Sequence, residues 1–135
     1  MQVRTPASIS SIMDLSTPGR QQSAMLRKIM VHQWRYGLSA EAYDENGPLA
    51  VLIFYAISEG ELEMASLFSP RAGDHILPLM RLAHLTIEKM ADDTGTEITC
   101  VVRRDGRSGA RMAKLLGFVE QSKGENARRF IWRKP

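Results

Sequence analysis

A single cysteine in 135 residues leaves no partner for an intramolecular disulfide, so a disulfide-stapled scaffold is excluded. Cys100 lies in the run Ile98, Cys100, Val102, where a buried thiol acts as a small hydrophobe; no His or Asn near it in sequence suggests an activated nucleophile. Its solitude fits a reducing compartment. Long apolar runs are missing too: nothing approaches the ~20 apolar residues of a spanning helix, and Met1–Ser11 has no apolar segment behind a basic start. The expectation is a cytoplasmic chain with no membrane span. Histidine is scarce, and His32, His75 and His84 do not share the three- or four-residue spacing of ligands on one helix face, so no metal site is expected. No Ser, His and Asp arrangement suggests an acyl-enzyme.

What is present is ordinary in amount and uneven in placement. The 44% hydrophobic and 24% charged fractions suit a folded domain rather than a disordered chain. The length suits one core, so residues 1–135 are expected to form a single domain. The net charge of +3 conceals a basic last quarter: Arg103 to Pro135 holds ten Lys or Arg against Asp105, Glu120 and Glu125. That surplus permits an anionic partner, whether nucleotide, nucleic acid or acidic protein, though a solvated basic face explains it equally well. Around Phe130 and Trp132, strand alternation puts Arg129, Ile131 and Arg133 on one side and both aromatic rings on the other.

Short elements alternate without repeats or linkers. Gln2 to Arg4 reads as a brief strand and residues 8 to 14 as a helical turn. Thr17 as N-cap with Pro18 at the first helical position opens a longer helix, in which Met25, Leu26, Ile29, Met30 and Trp34 form an expected core stripe until Gly37. Three strands follow, about 39 to 44, Leu49 to Ile57 and Glu61 to Phe68, with turns at Asn46-Gly47 and Glu59-Gly60. The stretch Leu49 to Tyr55 is apolar on both faces, which predicts a central strand. After Ser69 to Asp74, a long helix runs to about Asp92 with Pro78 in its first turn and Ile76, Leu79, Met80, Ala83, Ile87 and Met90 inward. Thr96 to Val102 is a buried strand, Arg107 to Leu116 a short helix closed by Gly117, and Phe118 to Gln121 and Arg129 to Trp132 the last strands. The order predicts an α/β (α+β) fold: a mixed, mostly antiparallel sheet with helices on both faces, its fourth and fifth strands parallel and splayed.

That order, together with Leu116-Gly117-Phe118 closing an amphipathic helix and a turn at Ser69 to His75 before the long helix, resembles the GNAT superfamily of N-acetyltransferases along nearly the whole chain. The resemblance implies a phosphate-binding loop ahead of the long helix, where backbone amides and the helix end hold the pyrophosphate of acetyl-coenzyme A (acetyl-CoA). Its cofactor-binding positions would be Arg71, Gly73, Asp74 and His75. The pattern is degenerate here, because Ala72 falls at the family's basic or amide position, His75 at its first Gly and Leu77 at its second. Asp74 is a carboxylate where phosphate would sit, and is expected instead to cap the helix.

Chemistry in that superfamily uses a proton donor on the last helix, and the position four residues before Gly117 is Ala113, which has no proton to give. Gly106 replaces an Asn found near the start of that helix. Glu61 and Glu63 are the candidates for accepting a proton from an amine. Three functional classes follow. The first is a non-catalytic structural or interaction module, in a protein assembly or homodimer; the chain is similar in size to small GNAT-like proteins of short-tailed bacteriophages, one of them an internal virion protein. The second is an acetyl-CoA dependent N-acetyltransferase acting on an amine. The third is a basic nucleic-acid-binding module built on Arg103, Arg104, Arg107, Arg128, Arg129 and Arg133.

Overall fold

The computed structural model describes residues 1–16, 23–103 and 107–133. The elements are β1 (Gln2–Arg4), α1 (Ile9–Ser16), α2 (Ser23–Tyr36), β2 (Leu38–Asp44), β3 (Gly47–Ser58) and β4 (Glu61–Phe68). A 3-10 turn (Pro70–His75) then runs into α3 (Ile76–Thr94), followed by β5 (Glu97–Arg103), α4 (Arg107–Leu115), β6 (Phe118–Lys123) and β7 (Ala127–Trp132). The strands form one seven-stranded sheet in the order β1-β2-β3-β4-β5-β7-β6. The parallel pair is β4 with β5, registered Glu61↔Glu97, Leu62↔Ile98 and Glu63↔Thr99, as a crossover through a helix as long as α3 requires. The expected N-cap Thr17 and first-turn Pro18 lie outside the described residues.

Two compact units make up the chain, one of Met1–Tyr55 with Ser66–Leu79 and one of Ala56–Ala65 with Met80–Pro135. In the first, every residue of β3 from Leu49 to Phe54 is buried, as its unbroken apolar run predicts. The β2–β3 hairpin turns at Glu45 and Asn46, one residue earlier than expected. Gly47 already belongs to β3, opposite Asp44, and the Asp44 carboxylate accepts from the Asn46 amide at 2.9 Å.

The α2 stripe needs correction. Met30 is buried, but Met25 is 69% and Ile29 48% exposed. Met25 and Ile29 are four apart, as are Met30 and Trp34, so the apolar residues make two stripes more than 90° apart, and only the second faces inward. Trp34 donates its indole N–H to the Ala7 carbonyl at 2.7 Å. Gly37 ends the helix because nothing larger fits: a Cβ there would come within 2.5 Å of the Phe54 carbonyl oxygen.

The entry to α1 is organised by Glu41, whose side chain is fully buried. One of its oxygens accepts from the Ser8 amide at 2.7 Å, and Arg4 Nε lies 3.3 Å from the same oxygen. The other accepts from the Ser11 hydroxyl at 2.7 Å. Ser8 in turn caps α1, its hydroxyl accepting from the Ser11 amide.

In the second unit, β5 and β7 pair with Cys100 opposite Phe130, and Ile98, Thr99 and Cys100 are all buried. Phe130 and Trp132 are buried as expected, and Ile131, on the side of Arg129, is buried as well. Gly117 closes α4 at φ 101°, a conformation suited to glycine. The carbonyl of Leu116 beside it accepts from Trp132 Nε1 at 3.1 Å and lies 3.2 Å from His84 Nδ1.

Replacing Glu41 by Ala strands two donors at the start of α1 and is expected to lower unfolding free energy by about 2–4 kcal/mol; Glu41→Gln, which keeps an acceptor, loses roughly half as much. Urea denaturation of the three proteins checks the order.

Candidate functional site

Within the turn that leads into α3, Ser69 sits extended at φ −69°, ψ 150°, and its hydroxyl accepts from the Arg71 amide at 3.1 Å. Its carbonyl accepts from the Ala72 amide at 2.9 Å, and Pro70 between them has no N–H. Ser69-Pro70 is therefore the cap and first position of this helical segment, a signal present in the sequence. Asp74 is not the cap. It lies exposed inside the 3-10 turn, where the following amides are engaged in helical bonding.

Arg71 is likewise committed. Its guanidinium grips Asp44 with Nη1 to Oδ2 at 2.9 Å and Nη2 to Oδ1 at 3.1 Å, and Nη2 also donates to the Gly47 carbonyl at 3.2 Å. Both groups are held in their charged forms: the hydrogen bond from Arg71 lowers the Asp44 pKa, and the same bond raises that of Arg71. His75 Nε2 lies 3.8 Å from Asp44 Oδ2, so it too is directed at this carboxylate. A Cβ on Gly73 would meet no atom of the chain within 4 Å, so packing within the fold does not demand glycine there.

The residues of this turn do not fit a pyrophosphate. Its leading amides are satisfied by Ser69, its arginine is neutralised by Asp44, and Asp74 adds a negative charge.

The two β4 glutamates are both half-buried. Glu61 is held from two strands, accepting from Arg129 of β7 and from Thr99 Oγ1 of β5 at 3.3 Å. Glu63, two residues on and opposite Thr99, sits near enough to Cys100 for its charge to disfavour the thiolate. Burial is the larger cause, and together they push the Cys100 thiol up to about 12. On α4, Ala113 is buried and brings no proton donor to that face.

The basic last quarter is partly neutralised within the fold. Arg128 makes a bidentate pair with Glu120, both contacts at 2.8 Å, and Arg129 pairs with Glu61. These two therefore do not join a free cationic face as the nucleic-acid reading expected; Arg104 and Gly106 lie outside the described residues. Sequence reasoning missed Asp44 as the partner of Arg71, 27 positions away, and Arg129 as the partner of Glu61, 68 away. Neither pairing carries a local signal. Among the described residues no group of His, Cys, Asp and Glu could hold a metal ion, and no helix is long and apolar enough to cross a membrane.

No protein-family model and no curated protein sequence matches the chain. Solved structures do. It superposes on a chimeric spermidine N-acetyltransferase SpeG from Vibrio cholerae and hSSAT with a TM-score of 0.70 at 10% identity, covering 98% of this chain and 96% of that one. A ribosomal-protein-S5-alanine acetyltransferase from Vibrio fischeri gives 0.64 at 14% identity, with 96% and 90% covered. An IAA acetyltransferase from Bacillus cereus gives 0.67 at 14%, with 97% and 99% covered. The fold is thus that of the GNAT acetyltransferases from end to end.

Two measurements check the local chemistry. By carboxyl NMR, Asp44 should titrate below the ordinary value of 3.8 and return towards it in Arg71→Ala. Since the folded value is the depressed one, the pair's stabilisation is complete above that ordinary value and fades as pH falls through the folded one. A thiol reagent at pH 8 should label Cys100 at least about a hundredfold more slowly in the native protein than in denaturant.

Proposed function

We propose that the chain is an N-acetyltransferase of the GNAT kind, taking an acetyl group from acetyl-CoA to an amine, with the donor's phosphates gripped elsewhere than at residues 69–75. The observation that carries this reading is the end-to-end correspondence with three acetyltransferases. We assign the proton-accepting role to the β4 carboxylates, Glu61 or Glu63, both half-buried on the strand that pairs in parallel with β5. The substrates in the neighbours' names, spermidine and an alanine of ribosomal protein S5, define the amines to try first.

A specific observation favours a second reading, a non-catalytic interaction module that keeps the scaffold, as a virion component would. The capped turn at Ser69, the neutralised Arg71 and the buried Ala113 remove three groups that the family chemistry uses. The nucleic-acid reading is weaker, since Arg128 and Arg129 are spent on Glu120 and Glu61.

Calorimetry with acetyl-CoA, followed by thiol-release assays on spermidine and an N-terminal alanine peptide, separates the first two readings. Transferase activity predicts binding that changes less than about twofold in Arg71→Ala, and turnover that falls about 10²-fold in one of Glu61→Gln and Glu63→Gln. Absence of both heat and thermal shift at millimolar donor would leave the interaction module standing.

A further inference from the structure

In the first unit, α1 and α2 flank a groove of about 540 Å3 whose lining includes Met13, Val31 and Tyr36 beside Arg27, Lys28 and Arg35. From Ser23 to Tyr36, α2 carries these three cations and no acidic residue; α1 contributes a single acid, Asp14. None of the three cations makes an ion pair among the described residues. Arg27 Nε is buried and has no hydrogen-bond partner, an unusual state for a guanidinium nitrogen. Arg27 and Arg35 are eight residues apart with Val31 midway, so like charges stand on one side of the helix without compensation. The His32 and Tyr36 rings, 4.9 Å apart, also line it.

We propose that this groove docks an acidic segment of a partner protein that also carries an apolar anchor side chain. The charge arrangement selects the occupant. Eight residues of helix rise about 12 Å, further than one carboxylate or phosphate can bridge, whereas about four residues of extended chain cover it with several carboxylates. Met13 and Val31 gain only from an occupant with apolar side chains to bury, which a phosphodiester strand does not offer. The cations steer the acidic segment and fix its register, and the anchor fills the space between the helices. The site is independent of whether the chain transfers an acetyl group.

Fluorescence anisotropy with a labelled Glu-Glu-Leu-Glu-Glu-Phe peptide tests this on the full chain. Saturable binding is expected, weakening as salt rises from about 50 to 200 mM. It should fall about tenfold or more in the double variant Lys28→Glu, Arg35→Glu, and about tenfold when Leu and Phe of the peptide become Ser. Arg111→Glu, at an exposed position of α4, should bind as the parent does. Should the double reversal fail to fold by circular dichroism, Lys28→Gln with Arg35→Gln carries the same test with a drop of about threefold. Equal affinity for the Gln-for-Glu peptide, no saturation by about 1 mM, or tighter binding of oligothymidylate or of phosphatidylserine vesicles overturns the proposal.

Discussion

A carboxylate without exposed surface has to be answered from several directions at once, and Glu41 is. The first strand supplies Arg4, the start of α1 supplies the Ser8 amide and the Ser11 hydroxyl, and β2 holds the glutamate itself. Desolvating that charge is costly, and only the simultaneous placement of all three donors repays it. Partial assembly is therefore disfavoured, so β1, the α1 cap and β2 are linked in one polar network rather than packed as separate pieces. Ser39, also on β2, extends the network by accepting from the Ala7 amide at 2.9 Å.

The same economy of charge runs through the positions where function was expected. Arg71 answers Asp44, Arg129 answers Glu61, and Arg128 answers Glu120. Each pair converts a residue suited to binding an outside anion or proton into one that ties two segments together. By contrast, Arg27, Lys28 and Arg35 on α2 make no ion pair among the described residues. A fold shared with acetyltransferases thus combines a turn ahead of α3 closed by its own side chains with cations on a different element that make no ion pair among the described residues.

Most of the architecture was legible because it rests on local rules. The continuous apolar run of β3, the glycines after α2 and α4, and the long amphipathic α3 fix their elements within a few residues. The errors were also physical. Two four-residue stripes on α2 looked like one broad face, and Asp74 looked like a cap although Ser69-Pro70 already supplied one. The ion pairs were illegible, since partners 27 and 68 positions apart meet only through strand order and register. Candidate site residues could be named from sequence, but whether each was available depended on those distant partners.

Each compact unit contains one of the chain's two tryptophans, and each indole N–H is bonded to a backbone carbonyl: Trp34 to Ala7 in the first and Trp132 to Leu116 in the second. The molecule therefore carries a built-in pair of optical reporters. Indole fluorescence and the two indole proton resonances read the halves separately, so single-tryptophan variants would show whether they melt at one temperature or in sequence.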